Sequence, residues 1–391
     1  MYELLINDTP VKIWARTVEP SAFKQIMNLS TLPFVFHHLA FMPDVHAGVG
    51  MTIGGVLATK GAVIPNAVGV DIGCGMCAVK TNIRVDSLTS DLLRKGFMRG
   101  IRRRIPVGMD HQKTAQDECL MPQGFDTDSM AVVSRQYKSA LKQIGTLGGG
   151  NHFIELQKDQ DGWMWIMIHS GSRNLGLQVC NYYDEKAKSL DRIWFSSVNP
   201  DINLAFLPLK SQEFKQYWTE MEYCVQFAFA NRKLMMDRIC EVIKECVPEA
   251  EFEPMINIAH NYAAWEHHFD ENVIVHRKGA TSAREGEIGI IPGSQGTKSY
   301  ITEGLGNPDS FMSCSHGAGR LMSRTEAVKT LNLEAEQAKL DEKGIVHALR
   351  YQKDLEEASS AYKNIEEVMA NQSDLTRIVT ALEPIAVIKG V

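Results

Sequence analysis

Residues 66–77, Asn-Ala-Val-Gly-Val-Asp-Ile-Gly-Cys-Gly-Met-Cys, restrict what this chain can fold into more than any other stretch. They place a carboxylate, Asp71, three residues before a thiol, Cys74, among Gly69, Gly73 and Gly75. Glycine accepts φ > 0 and close backbone approach, so such a loop can close tightly around something small. A metal ion held by Asp71 and Cys74 is one such object. A turn around a buried structural cysteine is the commoner one. Apolar runs at 63–70 and 76–81 predict that the loop joins two buried strands.

The rest of the first third is strand-rich, with β-branched or aromatic runs at 11–14, 34–41 and 51–58. Residues 211–246 carry Tyr217, Met221, Cys224, Phe227, Leu234, Ile239 and Ile243 near helical spacing, which predicts a core helix with no site in it. The charged stretches 324–349 and 353–369 read as solvated outer helices. A net charge of −6 argues against a generally basic nucleic-acid coat but leaves room for a local basic channel. The N-terminus lacks the basic and apolar regions of a signal peptide, and no apolar run reaches the roughly 18 residues of a membrane span. Eight scattered cysteines in a chain this long fit free thiols in a reducing compartment. The expected setting is the cytoplasm, with no membrane partner.

Polar clusters recur at the ends of these elements. Asp44 and His46 lie in Met-Pro-Asp-Val-His-Ala-Gly at 42–48, where an exposed polar turn is the commoner explanation. Within the segment 87–143, Arg94, Lys95, Arg99, Arg102, Arg103 and Arg104 crowd a helical-looking stretch closed by Pro106. A phosphate-binding patch and a solvated helix face explain it equally well. His152 and Glu155 would share a helix face but oppose each other on a strand; Phe153 and Ile154 favour the strand, so different jobs are expected. The glycines at 145–150 follow GxxGGG rather than GxGxxG, and no GxxxxGK[ST] occurs, so a P-loop fold is unsupported. His169 closes a strand-like run and opens His-Ser-Gly-Ser-Arg173, and His260 precedes Asn261 and Tyr262. His316 is followed by Gly317, Ala318 and Gly319, then by Arg320 and Arg324, an arrangement that suits a group receiving a phosphate. A thiolate, imidazoles and a carboxylate together suit a first-row divalent metal. Asp71, Cys74 and three histidines exceed one tetrahedral site, which points to two metals and phosphoryl chemistry.

Eight blocks in order carry a resemblance: MPDVH (42–46), GVDIGCGM (69–76), GNHFIE (150–155), HSGSR (169–173), HNY (260–262), RKGA (277–280), IPGS (291–294) and SHGAGR (315–320). With them the chain resembles, nearly end to end, the RtcB family of GTP-dependent RNA-splicing and repair ligases. The resemblance implies one α+β domain over 1–391, with mixed sheets in a central β-sandwich and helices outside. It implies that His316 attacks the α-phosphate of GTP. Two Mn²⁺ ions would be held by Asp71, Cys74, His152, His169 and His260, with the Cys74 thiolate bridging. The guanosine nucleotide would be contacted by Asn151, Phe153, Glu155, Asn261, Pro292, Gly293, Ser294, Gln295, Ser299, Gly317, Ala318, Gly319 and Lys389. Arg173, Lys278, Arg320 and Arg324 are candidates for RNA or triphosphate oxygens. The implied reaction joins RNA 3′-phosphate or 2′,3′-cyclic phosphate ends to 5′-hydroxyl ends through a histidine–GMP and an RNA 3′-pp-5′-G intermediate. An archease-type activator is an implied partner.

Two departures stand out. Cys77 replaces a residue that is commonly asparagine, and the segment between Lys80 and Gly145 is shorter than in the family. Cys77 makes the site oxidation-sensitive or is a plain buried thiol. A metal-dependent phosphoesterase and a non-catalytic RNA- or nucleotide-binding protein are the alternatives to a ligase; His316 and its small, basic surroundings weigh against the first, an intact ligand set against the second.

Overall fold

The apolar runs of the first third pair with two later strands into a six-stranded sheet. Its spatial order is Tyr2–Ile6, Thr9–Ile13, Val35–His46, Ile53–Thr59, Glu271–Lys278 and Asn261–His268. Only Thr9–Ile13 and Val35–His46 run parallel. A second sheet is antiparallel throughout, in the order Ile256–Ala259, Gly75–Arg84, Trp163–Ser170, Phe153–Asp159, Thr376–Lys389, Ser299–Gly304 and Ile288–Ile291. This arrangement comes from a computed structural model that describes residues 1–390.

The α+β class with central sheets and outer helices holds, and the second sheet curls toward a barrel. Met76, Ala78, Phe153, Trp165, Met167, Ile290, Ile301 and Leu382, from six of its strands, meet in one buried cluster. The helix Gln212–Cys246 lies outside, capped by the Ser211 hydroxyl, which accepts from the Phe214 N–H at 3.1 Å. Tyr217, Phe227, Ile239 and Ile243 on it are fully buried, each stabilising by about 1.5–3 kcal/mol. Among the described residues no helix is long and apolar enough to cross a membrane.

Three expected elements differ. Residues 63–70 are not a strand: after the short Ala62–Val63, Pro65 fixes φ for a helical turn, Pro65–Val68, and holds Ile64 extended. The two charged stretches break into Arg324–Thr330, Leu333–Glu342 and Ile365–Ala370, with 3-10 turns Gln352–Glu357 and Ser359–Ala361 between them. They are not wholly solvated, because Glu357 is buried. The basic stretch is a π-helical turn, Leu92–Met98, continuing into Arg99–Arg104. Phe97 and Ile101 seat it against Ile239 and Ile243 of the long helix. Cys77 joins the same apolar cluster as a free thiol, its pKa pushed up to about 12 by burial.

Candidate active site

Strand register gathers the first cluster. Gly75 pairs with Ser170 and Ala259, Met76 with His169, and His169 with Phe153. Cys74, His152, His169 and His260 each sit at the end of one of these neighbouring strands, so they converge at one rim. The glycines are required by backbone proximity: a Cβ on Gly75 would lie 1.9 Å from the Ile258 carbonyl oxygen, and one on Gly73, at φ +75°, 2.8 Å from Val225 Cα. The loop is clamped between a strand and the long helix.

That helix takes part in the site after all. Asn231 accepts from the Gly145 and Thr146 N–H groups and donates to Gly171 O and Ser170 Oγ, tying two site loops together. Arg232, fully buried, donates to Gly73 O and Ser170 O at 2.9 Å. Helical periodicity marks only which face is inward. These two inward polar residues (Asn231, Arg232) were the available signal.

Cys74 Sγ lies 3.2 Å from His169 Nε2 and 3.4 Å from His152 Nε2. His169 Nε2 is 3.3 Å from His260 Nε2, and His152 Nε2 is 3.0 Å from Asp71 Oδ2. Atoms sharing an ion at about 2.1–2.3 Å lie about 3.0–3.3 Å apart at right angles and about 3.4–3.8 Å apart at the tetrahedral angle, so this spacing suits ligation. The second ring nitrogens of His152 and His260 are buried without partners. Burial holds the His169 and His260 imidazoles well below their ordinary pKa, hence neutral. Burial, then the Asp71 charge, pushes the Cys74 thiol well up, while Arg232 pulls it the other way. Neutral imidazoles, a carboxylate and a thiol beside a buried guanidinium form a donor set that fits a first-row divalent cation, which would itself drive the thiol to thiolate.

The second cluster adjoins the first. The His316 ring centroid lies 4.8 Å from that of His260. His316 Nδ1 is 2.6 Å from Asp44 Oδ2, and the same oxygen accepts from the N–H groups of His316 and Gly317 at 3.2 and 3.3 Å. Asp44 is therefore no exposed turn residue but a fully buried carboxylate. With Nδ1–H bonded to Asp44, Nε2 of His316 carries the free lone pair.

His316 opens into a cavity of about 400 Å³. Asn151, Phe153 and Glu155 line one wall at alternate strand positions, while His152 faces the ligand cluster, so His152 and Glu155 do diverge. Pro292, Gly293, Ser294 and Gln295 form a second wall, and Gly317, Ala318 and Gly319 a third. Arg320, Ser323, Arg324, Lys389, Tyr362, His46, Ala47, Ile53 and His169 of the ligand cluster complete the lining. Burial raises the Glu155 pKa to about 7, with Lys389 opposing. Gln157 donates to Glu155 at 2.8 Å and to Ser299 Oγ at 3.1 Å, and Ser299 accepts from the Gly293 N–H.

Glu357 sits behind the cavity and gathers its cations. It accepts from Arg324 Nε at 3.0 Å, Arg320 Nη1 at 3.3 Å and the Tyr362 hydroxyl, and lies 3.5 Å from Lys389 Nζ. Burial raises its pKa, but Lys389, Tyr362 and the guanidiniums outweigh that and hold it below the usual carboxylate range.

Four residues singled out from the sequence stand apart from the cavity wall. Asn261 donates to Asp71 O and accepts from the Gly279 N–H, and Ser299 holds the Gly293 loop, so both brace site loops. Lys278 is buried and donates to Val49 O at 2.6 Å and Asn66 O at 2.9 Å, its pKa lowered to about 8 by burial. Its ammonium is engaged in holding the loop that carries Asp71. Arg173 bonds to Thr146 Oγ1 and Gly108 O beside the ligand cluster.

The family model of tRNA-splicing ligase RtcB matches residues 25–390. The chain is 39% identical to the RNA-splicing ligase RtcB of Escherichia coli (strain K12), with all of both chains covered. It is 32% identical to the tRNA-splicing ligase RtcB of Methanococcus maripaludis, over 95% of this chain and 92% of that one. It is 31% identical to the RNA-splicing ligase RtcB of Mycobacterium tuberculosis, over 94% of this chain and all of that one.

Proposed function

The chain belongs to the RtcB family, and on that premise we propose that residues 1–391 act as one RNA ligase of tRNA splicing or RNA repair. It joins 3′-phosphate or 2′,3′-cyclic phosphate ends to 5′-hydroxyl ends with GTP as cosubstrate. The observation that carries this reading is His316, which lines the cavity with its Nδ1 committed to Asp44 and its Nε2 left without a protein partner's claim on it. A phosphoesterase needs no such nucleophile.

In this reading Nε2 attacks the α-phosphorus of GTP; the N–P bond forms as the bond to the β-phosphate oxygen breaks, and pyrophosphate leaves. Asp44 fixes the tautomer and stabilises the positive charge that develops on the ring. An oxygen of the RNA 3′-phosphate then takes the guanylyl group, freeing His316 and leaving RNA 3′-pp-5′-G. The 5′-hydroxyl attacks the RNA phosphorus, and GMP departs as the strand closes. A cyclic end is first opened by water to the 3′-phosphate. Asp71, Cys74, His152, His169 and His260 would hold two manganese ions, which when bound supply charge withdrawal from phosphate oxygens and alignment of the attack.

The guanine fits the wall of strand Phe153–Asp159. Glu155 offers an acceptor and Lys389, paired in register with Phe153, a donor; guanine presents donors beside an acceptor. Phe153 gives the base an apolar face, and the thin walls 292–295 and 317–319 leave room for the ribose and phosphates. Arg320 and Arg324, held by Glu357, suit phosphate oxygens. Arg173, beside the ligand cluster, has a lesser claim, and Lys278 drops out because its ammonium is already bonded.

Incubation with α-labelled GTP and manganese tests the reading. Acid-labile label is expected on the wild type and absent from His316→Ala; equal labelling of both overturns the assignment. Joining of a 3′-phosphate to a 5′-hydroxyl RNA end then separates ligase from hydrolase.

A further inference from the structure

The site described above makes no use of the basic helix. Phe97, Met98 and Ile101 pack against Ile239, Val242 and Ile243, which turns Arg99, Arg102 and Arg103 to solvent. At 3.6 residues per turn these three fall within an arc of about 100° opposite Ile101. Of the six cations in this stretch, Lys95 is paired with Asp91 at 2.9 Å and Arg104 with Glu241 and Glu245. Arg94, Arg99, Arg102 and Arg103 have no carboxylate partner among the described residues. Arg99 faces Arg102 and Arg103 at i+3 and i+4, spacings where like charges destabilise a helix. A helix dipole accounts for cations in the last turn, Arg102 and Arg103, but not for Arg94 or Arg99. In the free protein only solvent answers this repulsion, and a polyanion seated on the face would answer it further.

The helix leads straight back to the cavity. Leu147 N–H donates to Pro106 O and Gly108 N–H to Gly148 O, both at 3.0 Å. Arg173 donates to Gly108 O at 2.9 Å. An open groove of about 490 Å³ lies at this junction, walled by Val107, Gly108, Met109, Asp110, Gly149, Lys353, Glu356 and Gly390; with two carboxylates against one ammonium it offers a passage, and the grip on phosphates falls to the guanidiniums beyond it. Gly149 adjoins Gly150, over which the Arg324 guanidinium of the cavity lies. Gly108 lies five positions after Arg103, at most about 18 Å of chain. The groove thus adjoins the cavity, and the basic face lies within that short chain distance of it.

We propose that Arg99, Arg102 and Arg103 grip the phosphate backbone of the RNA strand as it leaves the cavity through this groove, without reading its bases. This rests on the ligase reading above. RNA is favoured over an acidic protein because the face presents three unpaired guanidiniums near the phosphate-handling cavity, and Met109 is the one large apolar side chain exposed in the groove between them.

The test compares wild type, the triple variant Arg99→Gln, Arg102→Gln, Arg103→Gln, and the matching triple Lys variant. Fluorescence anisotropy follows two 3′-phosphate RNAs, of about 20 and about 4 nucleotides, across a salt series. Three lost contacts are expected to lower the log–log salt slope for the longer RNA by about 2 and its affinity at low salt by about tenfold or more. The Lys variant should keep the slope. The short RNA, which stays within the cavity, should bind all three alike, and GMP labelling of His316 with an unchanged melting temperature shows that the variant is folded. An unchanged slope with the long RNA overturns the proposal, whether the face is merely solvated or binds an acidic protein; so does an equal loss on both RNAs. If the wild type joins RNA while the variant keeps its slope, only the proposal fails. If the wild type neither binds nor joins RNA, the ligase reading fails with it.

Discussion

Glu357→Gln changes one atom and one charge behind the cavity, and its outcome can be worked from the contacts. Oε1 accepts from Arg324 and Arg320; Oε2 accepts from Tyr362 and faces Lys389. The amide keeps its acceptor toward the guanidiniums and turns its NH₂ toward Tyr362 and Lys389. A hydroxyl can reverse and accept, whereas an ammonium has three donors and no acceptor. Arg320 keeps Glu356 O at 2.7 Å and Met322 O at 3.0 Å, and Arg324, with a half-exposed side chain, loses little. The loss therefore falls on Lys389. Breaking a fully buried pair from one side costs about 3–5 kcal/mol. Lys389 keeps 12% exposure and a 3.4 Å contact to Asn151 O, so about 2 kcal/mol is expected. At about 2.1 cal/mol/K per residue over 391 residues, that lowers Tm by about 2–3 °C. On the guanine placement proposed above, a displaced Lys389 would also lose the base edge, so KM for GTP should rise about tenfold, worth about 1.4 kcal/mol, with little change in the rate of His316 labelling at saturation. Thermal melts and a GTP titration of labelling read both effects. A Tm within about 1 °C of wild type together with an unchanged KM would refute the reasoning.

Asp44→Asn can keep its amide oxygen under the three N–H donors, and with them the tautomer, but loses the charge that stabilises the developing imidazolium, so GMP labelling should slow by roughly 10²-fold or more; single-turnover labelling measures it. Cys74→Ser should remove thiolate-to-metal charge-transfer absorbance in a cobalt titration and weaken binding by about 100-fold or more, with absorbance equal to wild type contradicting the ligand role. Burial raises the Glu266 carboxyl, but Arg277 and the hydrogen bond to His268 outweigh it and set its pKa at about 2. Stability from this group is thus complete above about pH 4.5 and lost as pH falls toward 2. Acid unfolding of Glu266→Gln should show a shallower pH dependence in that window, and parallel curves would count against it.

The parts of the site legible in the sequence were those whose chemistry is local. Glycines beside a thiol, and His316 before three small residues, declare steric needs that neighbours in sequence must meet. Asp44 was not legible as the partner of His316, because 272 positions separate them and only the fold brings a strand end under a loop. Glu357 was hidden among outward charges for the same reason: a charge run shows that carboxylates are present, not which one turns inward. Lys278 shows the converse, a cation in a phosphate-like setting whose donors the backbone had already claimed. The β-branched and aromatic runs at 34–41 and 51–58 announced two strands, but the first continues to His46 through residues that read as a turn, and the curl of the second sheet depends on contacts between strands far apart in sequence.

The register that sets Gly75 opposite both Ser170 and Ala259 makes a bound ion a referee of strand alignment. Sliding any one of these strands by a single residue would send its ligand to the opposite face, since side chains alternate. The misaligned chain would bury nearly as much apolar surface, yet it would gain nothing from the ion. A bound metal would thus reward one alignment over its neighbours, and its supply during folding would govern how much of the chain reaches the competent sheet. A protein refolded without metal would then carry a fraction that later addition rescues only as fast as strands can separate and re-pair.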